Sequence, residues 1–233
     1  MSPRRRPGDA LGEYRRKRRF DATPEPSGDE PRAPGTAADG GGRFVVHRHR
    51  ATALHYDLRL EIGGVLASWA VPRGPSLDPA KRRLAIQVED HPLSYFGFEG
   101  VIPGRQYGAG DVIVWDWGHW WADPGTPDGA AALVAGELKF RLDGVKLRGA
   151  FVLLRTDQWR GRLGGGTKPK WLLIHRRDDA ATPGWEAEDL PESVKTGRTN
   201  DEVAAGLRPT GPVARPPRSR RRAPRRAVEV PTT

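Results

Sequence analysis

The stretch His49-Arg50-Ala51-Thr52-Ala53-Leu54-His55-Tyr56-Asp57-Leu58-Arg59-Leu60, continued by Glu61 and Ile62, decides the fold. From His55 onward polar and apolar residues alternate without a break: His55, Asp57, Arg59 and Glu61 against Tyr56, Leu58, Leu60 and Ile62. Strand side chains point to the two sheet faces in turn, so this period of two predicts a strand with one apolar and one polar row. The apolar row is expected to build a core. The polar row sets an imidazole, a carboxylate and a guanidinium in line, unlike the Lys, Thr, Ser and Glu of an ordinary solvated face. Together with the earlier His49, the donors of His55 and Asp57 suit a hard or borderline divalent metal. Arg59, next in the row, suits an anion bound beside it. The pattern reads as a metal-assisted phosphoester site.

The flanking sequence repeats the strand signal. Gly63-Gly64 turns the chain into a hairpin partner, Val65–Val71. Residues 83–91 alternate again, and 111–117, 151–155 and 171–175 are further strand candidates; Asp143-Gly144 joins 138–142 to 145–147. Helical periodicity is confined to short turns near 126–134 and 191–195. The expected fold is mainly β: a small closed or nearly closed β-barrel with short helices and disordered termini. The 29 glycines and 22 prolines supply its turns. The boundaries follow composition. Residues 1–42 form a basic N-terminal segment, with a short helix over 11–20 anchored by Tyr14 and Phe20, then an extended Pro/Gly-rich linker. Residues 43–206 form the barrel domain, and 207–233 an Arg/Pro-rich tail.

The 233 residues suffice for one domain with a substantial core. The absence of cysteine excludes disulfides, thiolate nucleophiles and zinc ribbons. No apolar run reaches the roughly 20 residues of a membrane span, and the basic start lacks the apolar region of a secretory signal. The expected location is cytoplasmic and nucleoid-associated, with no membrane partner. Of the net charge of +10, residues 1–41 carry +2, 42–206 carry +1 and 207–233 carry +7. In that tail Arg218, Arg220, Arg221, Arg222, Arg225 and Arg226 stand among Ser, Pro and Ala with no apolar face to bury. It is either a solubilising extension or a counterion-releasing handle for nucleic acid.

Each remaining motif has two readings. His55 and Asp57 could be a structural hydrogen-bonded pair; Arg59 in the same row, and His49 before the short 50–54 connection, favour ligands with open positions for water and substrate. In Glu89-Asp90-His91-Pro92, followed by Tyr95, the proline keeps His91 out of helical conformation and places its imidazole just past a strand end. The plainer reading is a turn with a solvent-exposed histidine. The glycine-rich run 103–111, with Arg105, follows no strand–helix pattern and reads as a wide turn rather than a nucleotide cradle. Core packing accounts for most of Trp115, Trp117, Trp120 and Trp121, though an exposed member could stack on a base.

Together these motifs resemble the 3′-phosphoesterase module of bacterial DNA ligase D, the end-healing enzyme of non-homologous end joining. The match is carried by Arg43-Phe44-Val45-Val46, His49, the run from Leu54 to Glu61, Ser68-Trp69-Ala70-Val71-Pro72 and Leu77-Asp78-Pro79. It continues through Arg83-Leu84-Ala85, Val88 to Leu93, Tyr95, Phe98-Glu99-Gly100, Ile102-Pro103 and Tyr107 to Asp116. It spans roughly 43–176, and Glu13-Tyr14 and Thr23-Pro24-Glu25-Pro26 are similar too. Nothing resembles the ligase or polymerase modules, so the resemblance implies a free-standing form.

The resemblance implies a metal-dependent activity, with Mn2+ or another divalent transition metal, on DNA or RNA–DNA 3′ ends of primer-templates. It would remove a terminal 3′ ribonucleotide and then the 3′ phosphate to leave a ligatable hydroxyl. A separate DNA ligase, polymerase or end-binding repair protein would be the partner. Carried over by position, His49, His55 and Asp57 are the metal ligands. Arg59 and His91 bind the scissile phosphate with Tyr95 beside them, Glu89 supports, and Arg83 is a further phosphate contact. Arg73 stands where relatives often carry lysine, and Gln106 where they often carry histidine. The implied mechanism is direct displacement by water; the sequence does not identify the general acid, for which a protonated His91 is the best candidate. The rivals are a non-catalytic nucleic-acid-binding barrel accessory to end joining and a small-molecule metal phosphatase.

Overall fold

The alternation at 55–62 lies in a strand of a computed structural model that describes residues 10–29, 41–126, 128–156, 168–209, 211 and 214. That strand is β2 (Leu54–Ile62), between β1 (Gly41–Arg50) and β3 (Val65–Val71). The sheet continues through β4 (Arg82–Gln87), β9 (Lys170–His175), β8 (Arg148–Arg155), β7 (Glu137–Gly144) and β6 (Gly110–Ala122). Pairing of β6 with β1 closes these eight antiparallel strands into a barrel. The short β5 (Gly100–Ile102) lies beside the first residues of β6, on the edge that β7 takes further along. The expected closed barrel is the observed one.

Inside, Phe44, Val46, Tyr56, Leu58, Leu60, Trp69, Ile113, Trp115, Phe140, Phe151 and Trp171 form the main core. Its packing explains the strand phases. Opposite β1, β6 carries a bulge: Val46 faces Asp116 and His47 faces Val114, so Trp115 is the extra residue. The bulge resets the alternation, leaving Trp115 in the main core and Trp117 in a smaller cluster on the outer face. Asp116, fully buried, accepts the backbone N–H groups of Val145, Lys146 and Leu147 at 2.9, 3.1 and 2.8 Å. Residues 145–147 are therefore the turn between β7 and β8, not the strand expected there.

Helices are few and short: α1 (Gly12–Arg16), α2 (Gly129–Ala135) and α3 (Asn200–Ala204), with 3₁₀ turns at Leu93–Gly97 and Ala187–Asp189. α2 is capped by Asp128, which accepts from the N–H groups of Ala130 and Ala131, and it ends at left-handed Gly136. The short turn expected near 191–195 is a single turn closed by the Gly197 N–H donating to the Ser193 carbonyl at 2.8 Å, and Val194 packs into the outer cluster. One end of the barrel is closed by the segment that leads into α3. Arg48 donates to Asn200 and Glu188 at 2.6 and 2.7 Å, and the Tyr56 hydroxyl donates to Glu188 at 2.6 Å.

The outer face departs most from expectation. The polar row of β2 does not lie open: Asp57, Arg59 and Glu61 are as buried as the apolar row. A second layer covers it, in which Tyr14 of α1 and Tyr95 and Phe96 of the first 3₁₀ turn pack with Val45, Leu66, Val114 and Trp117. The reading of 21–42 as unpacked linker also fails for 21–29. Glu25 is buried there, and the Tyr14 hydroxyl donates to the Pro26 carbonyl at 2.7 Å. The tail arginines 218–226 lie outside the described residues. No helix among the described residues is long and apolar enough to cross a membrane.

Candidate metal and phosphate site

Sheet register builds the site as a grid on the outer face of the barrel. His49 of β1 lies opposite His55 of β2, His47 opposite Asp57, and Val45 opposite Arg59. On the other edge of β2, Asp57 faces Ala70 and Arg59 faces Ser68 of β3. A backbone bridge between Leu66 and His91 brings in the loop after β4. Cross-strand neighbours on one face sit about 4.5–5.5 Å apart, close enough for their side chains to share a ligand.

His49, His55 and Asp57 converge so that their donor atoms all lie within 4.8 Å of one another. His49 Nδ1 and His55 Nε2 are each 3.7 Å from a different oxygen of Asp57. These separations are too long for hydrogen bonds and fit three donors about 2.0–2.2 Å from one shared ion. The outer atoms fix the tautomers. His49 donates through Nε2–H to the Gly108 carbonyl at 2.8 Å, and His55 through Nδ1–H to the Ala53 carbonyl at 3.0 Å. Each ring therefore turns a lone pair toward Asp57, as metal-ligating histidines do when a carbonyl holds the far nitrogen. This donor set fits a divalent transition metal. The His55 side chain keeps 23% of its surface exposed, so the cluster opens to solvent on that side.

Arg59 sits behind the cluster, its side chain 3% exposed. It donates to Asp57 at 3.0 Å, to Ser68 Oγ at 2.9 Å and through Nε to His47 Nδ1 at 3.2 Å. Burial opposes ionisation of Asp57, but the Arg59 cation beside it outweighs that and holds the carboxyl far below the usual carboxylate range. His91 completes the pocket. Arg18 donates to its Nε2 at 3.2 Å, so the ring proton is on Nδ1, which donates to the Glu89 carbonyl at 2.9 Å. Arg59 Nη1, also 2.9 Å from Nδ1, then has Ser68 Oγ as its acceptor. Burial, followed by the Arg59 and Arg18 cations, pushes the His91 pKa well below its ordinary value. This environment favours the neutral imidazole.

The structure brings His49, His55, Asp57, Arg59, His91, Tyr95 and Glu89 together. The Tyr95 ring meets His91 edge-on with centroids 4.9 Å apart and lies 5.0 Å from the Arg59 guanidinium carbon. Burial raises its phenol pKa well above the usual value, so it remains a neutral wall of the pocket. Glu89 pairs with Lys17 at 3.0 Å and Arg18 at 3.2 Å. Among the described residues no hydrogen bond or ion pair joins Arg83 or Arg73 to this cluster. Arg83 lies on the same side of β4 as the core residue Ala85 and is paired with Glu186; Arg73 is exposed in the turn after β3.

Sequence reasoning assigned no role to His47, Ser68, Lys17, Arg18 and Glu25. His47 carried a usable signal, since it lies two residues before His49 and so shares its sheet face. Arg18 carried none. Its guanidinium is placed by Glu25 at 2.8 Å and by the Tyr14 ring 3.9 Å away, contacts that no local pattern announces.

The buried His47 and His91 make the fold acid-sensitive. Burial, then the Arg59 cation, also lowers the pKa of His47 well below its ordinary value. Unfolded histidines take up a proton near pH 6.5, while these two stay neutral in the fold, so the unfolded state binds more protons below that pH. Stability is therefore full above about pH 6.5 and falls as pH drops, by up to about 1.4 kcal/mol per pH unit for each histidine. Urea melts in metal-free buffer from pH 7.5 to 5.0 are expected to show this slope, and His47→Gln to lessen it. A flat profile in the parent protein would contradict the buried neutral state.

With this geometry in place, the relatives fall into one group. The DNA Ligase D 3'-phosphoesterase domain matches residues 47–155. The multifunctional non-homologous end joining protein LigD of Pseudomonas aeruginosa is 50% identical over 194 residues, which cover 81% of this chain and 21% of that protein. The multifunctional non-homologous end joining DNA repair protein LigD of Mycobacterium tuberculosis is 43% identical over 153 residues, 65% of this chain and 19% of that one. LigD of Mycolicibacterium smegmatis is 39% identical over 178 residues, 73% and 21% respectively. The chain thus spans about a fifth of the length of these relatives. The matched segment holds the His49, His55, Asp57 cluster together with Arg59 and His91, and residues 47–155 are similar to the DNA ligase D 3′-phosphoesterase domain family.

Proposed function

We propose that the protein is a manganese-dependent 3′-end-healing phosphoesterase, which removes 3′-terminal ribonucleotides and 3′ phosphates from nucleic acid ends to leave a 3′ hydroxyl. The observation that carries this reading is the His49, His55, Asp57 donor set with both histidine tautomers fixed, directly beside the buried Arg59. The family similarity and the names of the relatives support an end-joining role.

A divalent metal held by this set would supply Lewis acidity toward a phosphoryl oxygen. The chain's own residues do the rest. Arg59, with its charge already balanced by Asp57, offers preorganised donors to a phosphoryl oxygen and neutralises charge that develops there. His91, fixed between Arg18 and the Glu89 carbonyl, borders the phosphate beside Arg59. The cationic Arg18 and Lys17, held by Glu25 and Glu89, balance the anion. Tyr95 and Tyr14 keep water off the rear of the pocket. No cysteine is available as a nucleophile and Ser68 is buried under Arg59, which favours direct displacement by water.

The arginines at 218–226 would add sequence-independent affinity by counterion release. Deleting them is expected to flatten the salt dependence of binding, by a slope of about 0.9 for each phosphate they neutralise. A labelled primer-template ending in a 3′ phosphate, incubated with manganese, is expected to yield a 3′ hydroxyl and free phosphate, and a 3′-ribonucleotide end to release its nucleoside. Cleavage that persists in EDTA would overturn the metal-dependent reading.

A further inference from the structure

The aromatic ring of Tyr107 sits at the mouth of the pocket without a core role. It is 43% exposed, and of the large exposed apolar side chains described only Tyr107 and Trp121 are aromatic. Trp121 lies at the far end of β6, opposite Gly41 at the start of β1. Tyr107 instead precedes Gly108, whose carbonyl holds the metal-ligand candidate His49. Two cations hold its ring. Lys17 Nζ lies 4.8 Å from the ring centroid and donates to the hydroxyl at 3.4 Å, and the Arg18 guanidinium carbon lies 5.5 Å from the centroid. The same Lys17 pairs with Glu89, and the same Arg18 donates to His91. One guanidinium therefore links the open ring to the imidazole that borders the phosphate pocket.

A polyanion entering this pocket brings its bases with it, and every base has a π-face to stack on an exposed aromatic ring. Resting on the end-processing reading above, we propose that Tyr107 is a stacking subsite for the nucleobase of the 3′-terminal nucleotide, with Lys17 and Arg18 holding the ring in place. Such a platform is tolerant of base identity and requires that a base be present. The hydroxyl is not needed for stacking, so phenylalanine serves in its place.

The test uses the full chain and two primer-templates ending in a 3′ phosphate, identical except that one has an abasic terminal nucleotide. Affinity is measured at fixed salt, and phosphate release in manganese is followed in the same samples. Stacking on an aromatic ring corresponds to roughly ten- to hundred-fold in affinity. The parent protein and Tyr107→Phe are expected to bind the normal end more tightly than the abasic end by about that factor, and Tyr107→Ala to bind both alike. A parent protein indifferent to the missing base, or a Tyr107→Ala variant that keeps the full preference, would overturn the subsite. Base-dependent binding without phosphate release in manganese would leave the subsite standing and remove the phosphoesterase reading.

Discussion

His55→Ala is expected to lower metal-dependent turnover by more than the ~10–100-fold that loss of a ligand's hydrogen-bonding support costs a metal site, while the thermal midpoint stays where it was. The two halves of this expectation come from different observations. His55 Nε2 is one of only three donors in the cluster, so its loss leaves two ligands where an ion needs at least three. Yet the side chain is partly exposed and its Nδ1–H bonds to Ala53 in the adjacent turn, so its removal leaves no buried group without a partner. Surface changes of this kind stay within about 0.5 kcal/mol. A variant that loses activity only because it unfolds would contradict the account.

Asp57→Ala and Leu58→Ala are expected to destabilise the fold alike, although they point to opposite faces of β2. Leu58 is 1% exposed in the barrel core, and its truncation costs about 2–5 kcal/mol. Removing the Asp57 carboxylate strands the buried Arg59 cation, and breaking a buried ion pair costs about 3–5 kcal/mol. For a chain of this size the midpoint falls by roughly 2–4 °C per kcal/mol. Melts of the two variants beside His55→Ala would check the ordering. An Asp57→Ala protein as stable as the parent would show that the outer layer does not seal Arg59 from solvent.

These two cases mark how far the sequence could be read. Periodicity placed β2 and separated its two rows, because alternation depends only on strand geometry and any buried row must be apolar or paired. It could not tell that the polar row was covered, because the covering groups come from residues 14–25 and 93–98, far off in sequence. The bulge at Trp115 and the turn at 145–147 were missed for a similar reason. Both hang on Asp116, a carboxylate that looks like an ordinary strand-edge residue until its three backbone donors are in place. The His49, His55, Asp57 donor cluster was legible because its three members lie within nine residues on two paired strands. The pairing of Arg83 with Glu186 was not legible, because a resemblance fixes a position in the chain and not the sheet face toward which the side chain turns.

The most direct measurement is a manganese titration of metal-free protein in which bound metal and phosphate release from a 3′-phosphate primer-template are followed together. Both are expected to rise in step to one ion per chain in the parent protein, and both to be lost in His55→Ala. Phosphate release before any metal is bound, or metal binding that survives in His55→Ala at parental affinity, would contradict this expectation.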